Sequence, residues 1–244
     1  MTTPKTASST QNGAITTIAF DADDTLWENE AFYRVTQERF ADLLADYTER
    51  DHLAERLLDA ERRNLGHYGF GIKGFVLSMI ETAIDVTEER VPASVIKELV
   101  AAGQEMLAHP IHLLDGVKET VTELASNHDI LLVTKGDLLD QERKLAQSGL
   151  GDLFDGVEIV STKTTPVYRN IFARHGVDPH AAVMVGNSMK SDVIPPIEAG
   201  AWGVYVPHNI TWAIEHAEPP QDNPRYRHLD DLVALPKLIA EISG

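Results

Sequence analysis

The sequence predicts an α/β protein with a Rossmann-like, doubly wound parallel sheet core and an inserted all-helical subdomain. Three observations predict it. Short apolar runs alternate with stretches of helical periodicity from Ile111 onward, the spacing of βαβ units. A further apolar run, residues 15–20, stands far upstream of the others. Between them, residues 28–110 show helical spacing and no convincing strand. The expected organisation is therefore a tail at 1–14, a core from 15–27 together with 111–244, and a helical insertion at 28–110.

Residues 1–14 are rich in Thr and Ser and carry no apolar stretch. They read as a disordered tail and not as a secretory signal. Residues 15–20 (Ile-Thr-Thr-Ile-Ala-Phe) read as a strand buried on both faces. Helices are expected at 31–47, with Phe32, Val35, Phe40, Leu43 and Leu44 on one stripe, and at 52–65, with Leu53, Leu57 and Leu58. Another is expected at 75–84, followed by a connector at 87–91 and a helix with Pro92 in its first turn. Asp115 is placed to cap a helix reaching Ser126, and residues 129–133 form a short buried strand. Asp137 caps the next helix, which Gly149 ends. Strands at 157–160, 181–185 and 202–206 follow. They are separated by a helix started by Thr164 or Thr165 with Pro166, and by one from about Ser191 to Gly200. Pro195-Pro196 requires a late start or a kink in the latter. Residues 229–242 close the chain as a helix.

Composition narrows the function. With 21 basic against 38 acidic residues among 244, the net charge is −17. That disfavours nucleic acid and anionic membrane as partners, because both require a basic footprint. An anionic substrate then needs local Lys residues, backbone N–H groups or a cation to overcome the global field. The absence of cysteine excludes disulfides, thiolate zinc sites and a Cys nucleophile. No apolar run reaches the roughly 20 residues of a membrane span, so a cytoplasmic protein is expected, monomeric or homodimeric.

The chemistry concentrates where strands end. Asp21-Ala22-Asp23-Asp24-Thr25 follows the first strand directly, and three carboxylates in four residues repel one another unless a cation or protons offset them. In open α/β sheets the crevice beyond the strand carboxyl ends is where ligands bind. The cluster therefore suggests Mg²⁺ beside a nucleophilic or phosphate-handling carboxylate, or else a set of helix-capping residues. The second strand ends Thr134-Lys135-Gly136-Asp137, a hydroxyl and backbone N–H groups suited to a phosphate, or a simple turn. Lys163 follows the third and could neutralise a carboxylate and a transferred phosphoryl oxygen, or be solvated. The fourth ends in residues 186–192, where Asn187 and Asp192 offer oxygen ligands to a hard cation, or a turn and a cap. In the helical insertion, residues 67–74 combine glycines with Tyr68, Phe70 and Lys73; Tyr68, Gly71 and Lys73 are candidates for substrate contact, or parts of a connector. Glu28, Arg62 and Arg63 are weaker candidates, and His208 and Trp212 read as packing or surface residues.

Taken in this order, Asp21, Asp23 and Thr25, then Thr134, then Lys163, then the loop 186–192, the sequence resembles the haloacid dehalogenase-like hydrolase superfamily. The resemblance spans everything from Ile15 onward. It departs from the pattern at Asn187, which stands where the family usually places a metal-binding Asp. It implies Mg²⁺-dependent hydrolysis of a phosphate monoester through an aspartyl-phosphate. In that scheme Asp21 is the nucleophile, Asp23 the acid and base, and Thr134, Lys135, Gly136 and Lys163 the phosphoryl holders. Asp21, Asp23, Asn187 and Asp192 would hold the metal, and Asp24 has no assigned role. The implied substrate is a small phosphorylated metabolite: a sugar phosphate, a nucleotide or a phospho-acid. The helical insertion falls where the family has its cap. Asp23 favours a phosphatase over a 2-haloacid dehalogenase, whose departing halide needs no proton, and leaves a phosphomutase open. A receiver-type phosphoacceptor module fits the Asp, Thr and Lys but not the large insertion. A catalytically inactive binding protein on the same fold is the remaining alternative.

Overall fold

The computed structural model describes residues 13–210 and 212–244; the expected tail at 1–14 therefore lies almost wholly outside the described residues. Among those residues, six strands form one sheet in the order β3-β2-β1-β4-β5-β6: β1 Thr17–Phe20, β2 Asp129–Lys135, β3 Gly156–Val160, β4 Ala182–Gly186, β5 Trp202–Tyr205 and β6 Tyr226–His228. Every neighbouring pair is parallel. β1 is entirely buried because side chains on both its faces are covered. Ile18 and Phe20 enter one apolar cluster, with Val117, Val121, Leu235 and Ile239 from helices α5 (Val117–Ala125) and α9 (Leu235–Ser243). Ala19 points the other way, into a cluster with Tyr168, Ile171 and Phe172 of α7 (Thr165–Arg174). This two-sided cover is why the strands read as continuous apolar runs.

Strand order reverses between β1 and β4, so the chains leaving these two strands diverge and open a crevice at their carboxyl ends. From β1 the chain crosses to a set of four helices: α1 Glu30–Leu43, α2 Arg50–Tyr68, α3 Ile72–Val86 and α4 Ala93–Ala108. These pack about their own apolar cluster, in which Phe40, Leu57, Phe75, Met79 and Leu99 are almost completely buried. Entry and exit run side by side. Trp27, fully buried, bridges to Leu113, Glu28 N–H donates to His112 O at 3.0 Å, and Leu114 N–H donates to Leu26 O at 3.0 Å.

Several boundaries differ from those expected. α2 continues to Tyr68 and α3 begins at Ile72, so the segment expected as a loop at 67–74 shrinks to Gly69-Phe70-Gly71. Asp115 does not cap α5; Gly116 takes that position with φ +73° and no side-chain cap bond. A side chain at Gly116 would also meet Val233, since a Cβ would lie 2.4 Å from its Cγ2. Asp137 does cap α6 (Leu138–Ser148), accepting from Asp140 N–H at 3.3 Å, and Gly149 ends that helix with φ +69°. The Pro195-Pro196 problem is solved by splitting the segment. A single π-helical turn, Met189–Val193, precedes a short α8, Ile194–Ala199, with both prolines in its first turn, where no N–H is needed. β6 is a strand that periodicity does not reveal: Tyr-Arg-His is three residues long and only partly buried. No helix among the described residues is long and apolar enough to cross a membrane.

Candidate active site

A cavity of about 150 Å³ lies over the carboxyl ends of the strands, and it is lined by Asp21, Asp23, Thr134, Lys163, Asn187 and Asp192 together. Residues drawn from four separate strand ends thus meet at one place, as their positions in the sequence predict.

The three clustered carboxylates are kept apart by three different partners. Asp21 shares the buried Lys163 ammonium with Asp192, which accepts from Nζ at 2.6 Å. Burial and the facing Asp192 raise Asp21 above the ordinary carboxylate range despite Lys163, so one lysine does not fully compensate two buried carboxylates. Burial works against Lys163 too, but the two carboxylates outweigh it and hold the ammonium charged. Asp24, in a left-handed conformation at φ +59°, turns away and caps α1, accepting from Asn29 N–H at 2.9 Å and Glu30 N–H at 3.0 Å. This gives Asp24 a structural reason to be acidic without a place in the chemistry.

Asp23 is held by donors that the sequence did not single out. It accepts from Trp27 Nε1–H at 2.7 Å, Gln141 Nε2–H at 2.8 Å and Lys144 Nζ at 2.9 Å. Burial alone would raise it, yet Lys144 first, then Gln141 and Trp27, bring its carboxyl below the ordinary range. Lys144 also donates to Asn29 Oδ1 at 2.8 Å, tying α6 to the crossing into α1.

On the other side, Asp192 accepts from Ser188 N–H at 3.0 Å and lies against Gly186, where a Cβ would come within 2.5 Å of its Cγ. Only glycine at the end of β4 lets that carboxylate fold back to Lys163. Asn187 is linked to the first loop: its backbone N–H donates to Thr25 Oγ1 at 3.1 Å, and Thr25 donates to Asn187 Oδ1 at 3.3 Å. Lys135 lines the cavity but is already engaged, pairing with Glu215 at 2.6 Å, donating to Ser191 Oγ at 2.9 Å and lying 4.2 Å over the Phe70 ring. Burial opposes ionisation of Glu215, but Lys135 and the hydroxyls of Ser188 and Ser191 prevail and hold it at about 2. Gly136 adopts φ +141°, and a Cβ there would lie 2.8 Å from Gln141 Nε2.

The donor set fits a hard divalent cation. Asp21 and Asp192 bring carboxylate oxygens and Asn187 an amide oxygen to one cavity, and the residual repulsion between Asp21 and Asp192 is what such a charge would relieve.

The helical set contributes a second wall. Gly71 lines the cavity together with Gly69, Phe70 and Gly74, whereas Tyr68 and Lys73 do not. Tyr68 is half exposed and donates to Glu81 at 2.9 Å, and Lys73 pairs with Asp137 at 2.9 Å on the surface. Arg62 is likewise exposed, beside Asp59. Trp212 lines the cavity against Phe70, contrary to its reading as a packing residue, and the mostly buried His208 imidazole lies 3.6 Å from Asp24 and 3.4 Å from Glu28. Glu30 and Glu61 complete this wall. Burial, with Asp24 and Glu61 nearby, raises Glu30 to about 8, and burial raises Glu61 to about 7 against the opposing effect of the Trp212 indole.

The raised Glu61 has a stability consequence of definite sign. Between about 4.5 and about 7 the unfolded chain releases this proton while the folded chain keeps it, so stability falls as pH rises through that window. Glu61→Gln is expected to raise the free energy of unfolding by about 3 kcal/mol at pH 8 and to leave it unchanged at pH 4. Denaturant titrations of both chains at the two pH values check this.

A parallel sheet carrying an Asp pair, a Thr, a Lys and a second acidic loop at its strand ends defines a hydrolase of the haloacid dehalogenase type. The sequence profile of the haloacid dehalogenase-like hydrolases matches residues 15–200, and the chain belongs to that family. A comparison with curated proteins gives no match. Among solved structures, a haloacid dehalogenase-like hydrolase from Xanthomonas campestris is 38% identical with a TM-score of 0.85, over 97% of this chain and 95% of that one. The HAD-hydrolase YfnB from Bacillus subtilis, bound to magnesium, is 17% identical at a TM-score of 0.67, over 93% and 99%. An L-2-haloacid dehalogenase from Xanthobacter autotrophicus is 16% identical at 0.65, over 93% and 98%.

Proposed function

We propose that the chain is a Mg²⁺-dependent phosphate monoester hydrolase acting on a small phosphorylated metabolite. The observation that carries this reading is Asp23, a second carboxylate in the same cavity as Asp21, two residues along the chain. Displacing an alkoxide requires a proton for the leaving oxygen, whereas displacing a halide does not. Asp21 attacks phosphorus, the ester P–O bond breaks, and Asp23 delivers the proton to the departing alcohol oxygen. Asp23 then takes a proton from water, which attacks the aspartyl-phosphate and releases inorganic phosphate. Thr134 and the backbone around Gly136 hold phosphoryl oxygens, and Lys163 balances their charge. A bound Mg²⁺, held by Asp21, Asp192, Asn187 and the Asp23 carbonyl, would add positive charge next to the phosphoryl group. Magnesium bound to the Bacillus relative supports this choice of ion. The α1–α4 set acts as the cap that closes the cavity.

The test is a phosphate-release screen across phosphorylated sugars, nucleotides, acids and amines, paired with halide release from 2-haloacids. Release of phosphate that stops with chelator and returns with Mg²⁺ is expected. Asp23→Asn is expected to lower it about 10²–10⁴-fold, the usual worth of a positioned acid–base. Halide release with no phosphate release would overturn the reading in favour of a dehalogenase.

A further inference from the structure

The charges around the cavity are segregated. Its three lysines all belong to the core side, and each is already paired: Lys163 with Asp21 and Asp192, Lys144 with Asp23, Lys135 with Glu215. Among the described residues, the helical wall opposite contributes Glu30 and Glu61 and no basic side chain, only neutral neighbours such as Asn64, Ser78 and Phe75. Glu61 is 8% exposed, and neither it nor Glu30 makes an ion pair among the described residues. The polar neighbour of Glu61 in the cavity is the neutral Trp212 indole, which lowers the Glu61 carboxyl but brings no charge. A separate observation points the same way. Gln141 lines this cavity with its Nε2 committed to Asp23 and to Lys135 O, at 2.8 Å each, and its buried Oε1 has no donor among the described residues. What the cavity lacks is a donor-rich, positively charged group.

We propose that the cavity selects a phosphorylated compound whose other end carries an ammonium group, held by Glu61 and Glu30 while the phosphoryl end sits at Asp21 and Lys163. This rests on the phosphatase reading and sharpens it. Glu61 is buried and Glu30 partly buried; the exposed Arg34 on the same helix acts on Glu30 without offsetting its burial, and both carboxyls are driven toward the protonated form. An ammonium restores their charge and supplies three N–H donors, and the adjacent Phe70 and Trp212 rings favour a cation over an anion. A substrate with a carboxylate at that end, such as a phospho-acid or a 2-haloacid, would place like charge against Glu30 and Glu61.

Non-hydrolysable probes separate this proposal from the catalytic one. Calorimetry of the full chain with Mg²⁺ is expected to show 2-aminoethylphosphonate binding at least ~10-fold more tightly than phosphonoacetate. Glu61→Gln should shrink that ratio, and Glu30→Gln with Glu61→Gln should abolish it. Turnover should follow the same order, with O-phosphoethanolamine above glycerol phosphate and phosphoglycolate in kcat/KM. Equal or tighter binding of phosphonoacetate, equal turnover of glycerol phosphate, or a ratio untouched in the double variant would each overturn the charge selection. The amine preference in binding without phosphate release from any ester would instead overturn the phosphatase reading and leave the selection standing.

Discussion

Asp21→Asn is expected to lower phosphate release by at least ~10⁴-fold, because an amide cannot form the acyl phosphate on which both steps depend. Loss of function is not expected to bring loss of stability. Asp21 and Asp192 share one buried ammonium, and burial together with Asp192 raises Asp21 above its ordinary value. A carboxyl raised on folding removes stability as pH rises past the unfolded value of about 3.8, because the unfolded chain gives up the proton first. The amide carries no charge, and Lys163 keeps Asp192 as its partner at 2.6 Å. The variant should therefore melt at or above the wild-type temperature at pH 8. Phosphate release and thermal unfolding, measured on one preparation, check both parts. Activity above one hundredth of wild type would remove Asp21 as nucleophile, and a steep fall in melting temperature would make it a structural ion-pair partner.

The same three aspartates show how much of the protein its sequence discloses. Their placement after a buried strand was legible because β-sheet chemistry sits at strand ends, and so were Thr134, Lys163 and Asp192. Each lies a residue or a short loop beyond an apolar run. The partners of Asp23 were not legible, because they sit on a helix whose polarity is inverted. Along α6, Asp140, Gln141 and Lys144 are buried while Leu138 and Leu139 are exposed, so the run Asp-Gln-Glu-Arg-Lys looks like an ordinary solvated face. Two exposed leucines at the start of an otherwise charged helix were the available signal. Glu215 and Trp212 reach the cavity from an irregular stretch after β5 that carries no periodicity to place them. Glu30 and Glu61 lie on helices α1 and α2, where a charged residue is ordinarily solvated. Their burial depends on how those helices stand over the sheet, which spacing along either helix does not encode.

Lys144→Met is expected to change stability and pH dependence together. The side chain is 6% exposed, and its ammonium serves Asp23, Asn29 and, at 3.6 Å, Asp140. Removing it leaves Asp23 with only neutral donors, Gln141 and Trp27, while Asp140 retains Arg143 at 2.8 Å. Breaking such a pair costs about 3 kcal/mol, a fall in melting temperature of roughly 10 °C for a chain of this size. Lys144 is also the leading cause that holds Asp23 below its ordinary value, so its loss moves that carboxyl upward. Leaving-group protonation needs Asp23 in its acid form. The alkaline limb of kcat/KM should accordingly move to higher pH, even as the rate at the optimum falls about 10²-fold because the carboxylate is no longer held in place. Lys144→Arg, which keeps the charge, should return the limb toward its wild-type position. A purely structural lysine would lower stability and leave the shape of the profile unchanged. An unshifted limb in Lys144→Met would therefore separate Lys144 from the proton transfer, and with it the assignment of Asp23 as the group that titrates.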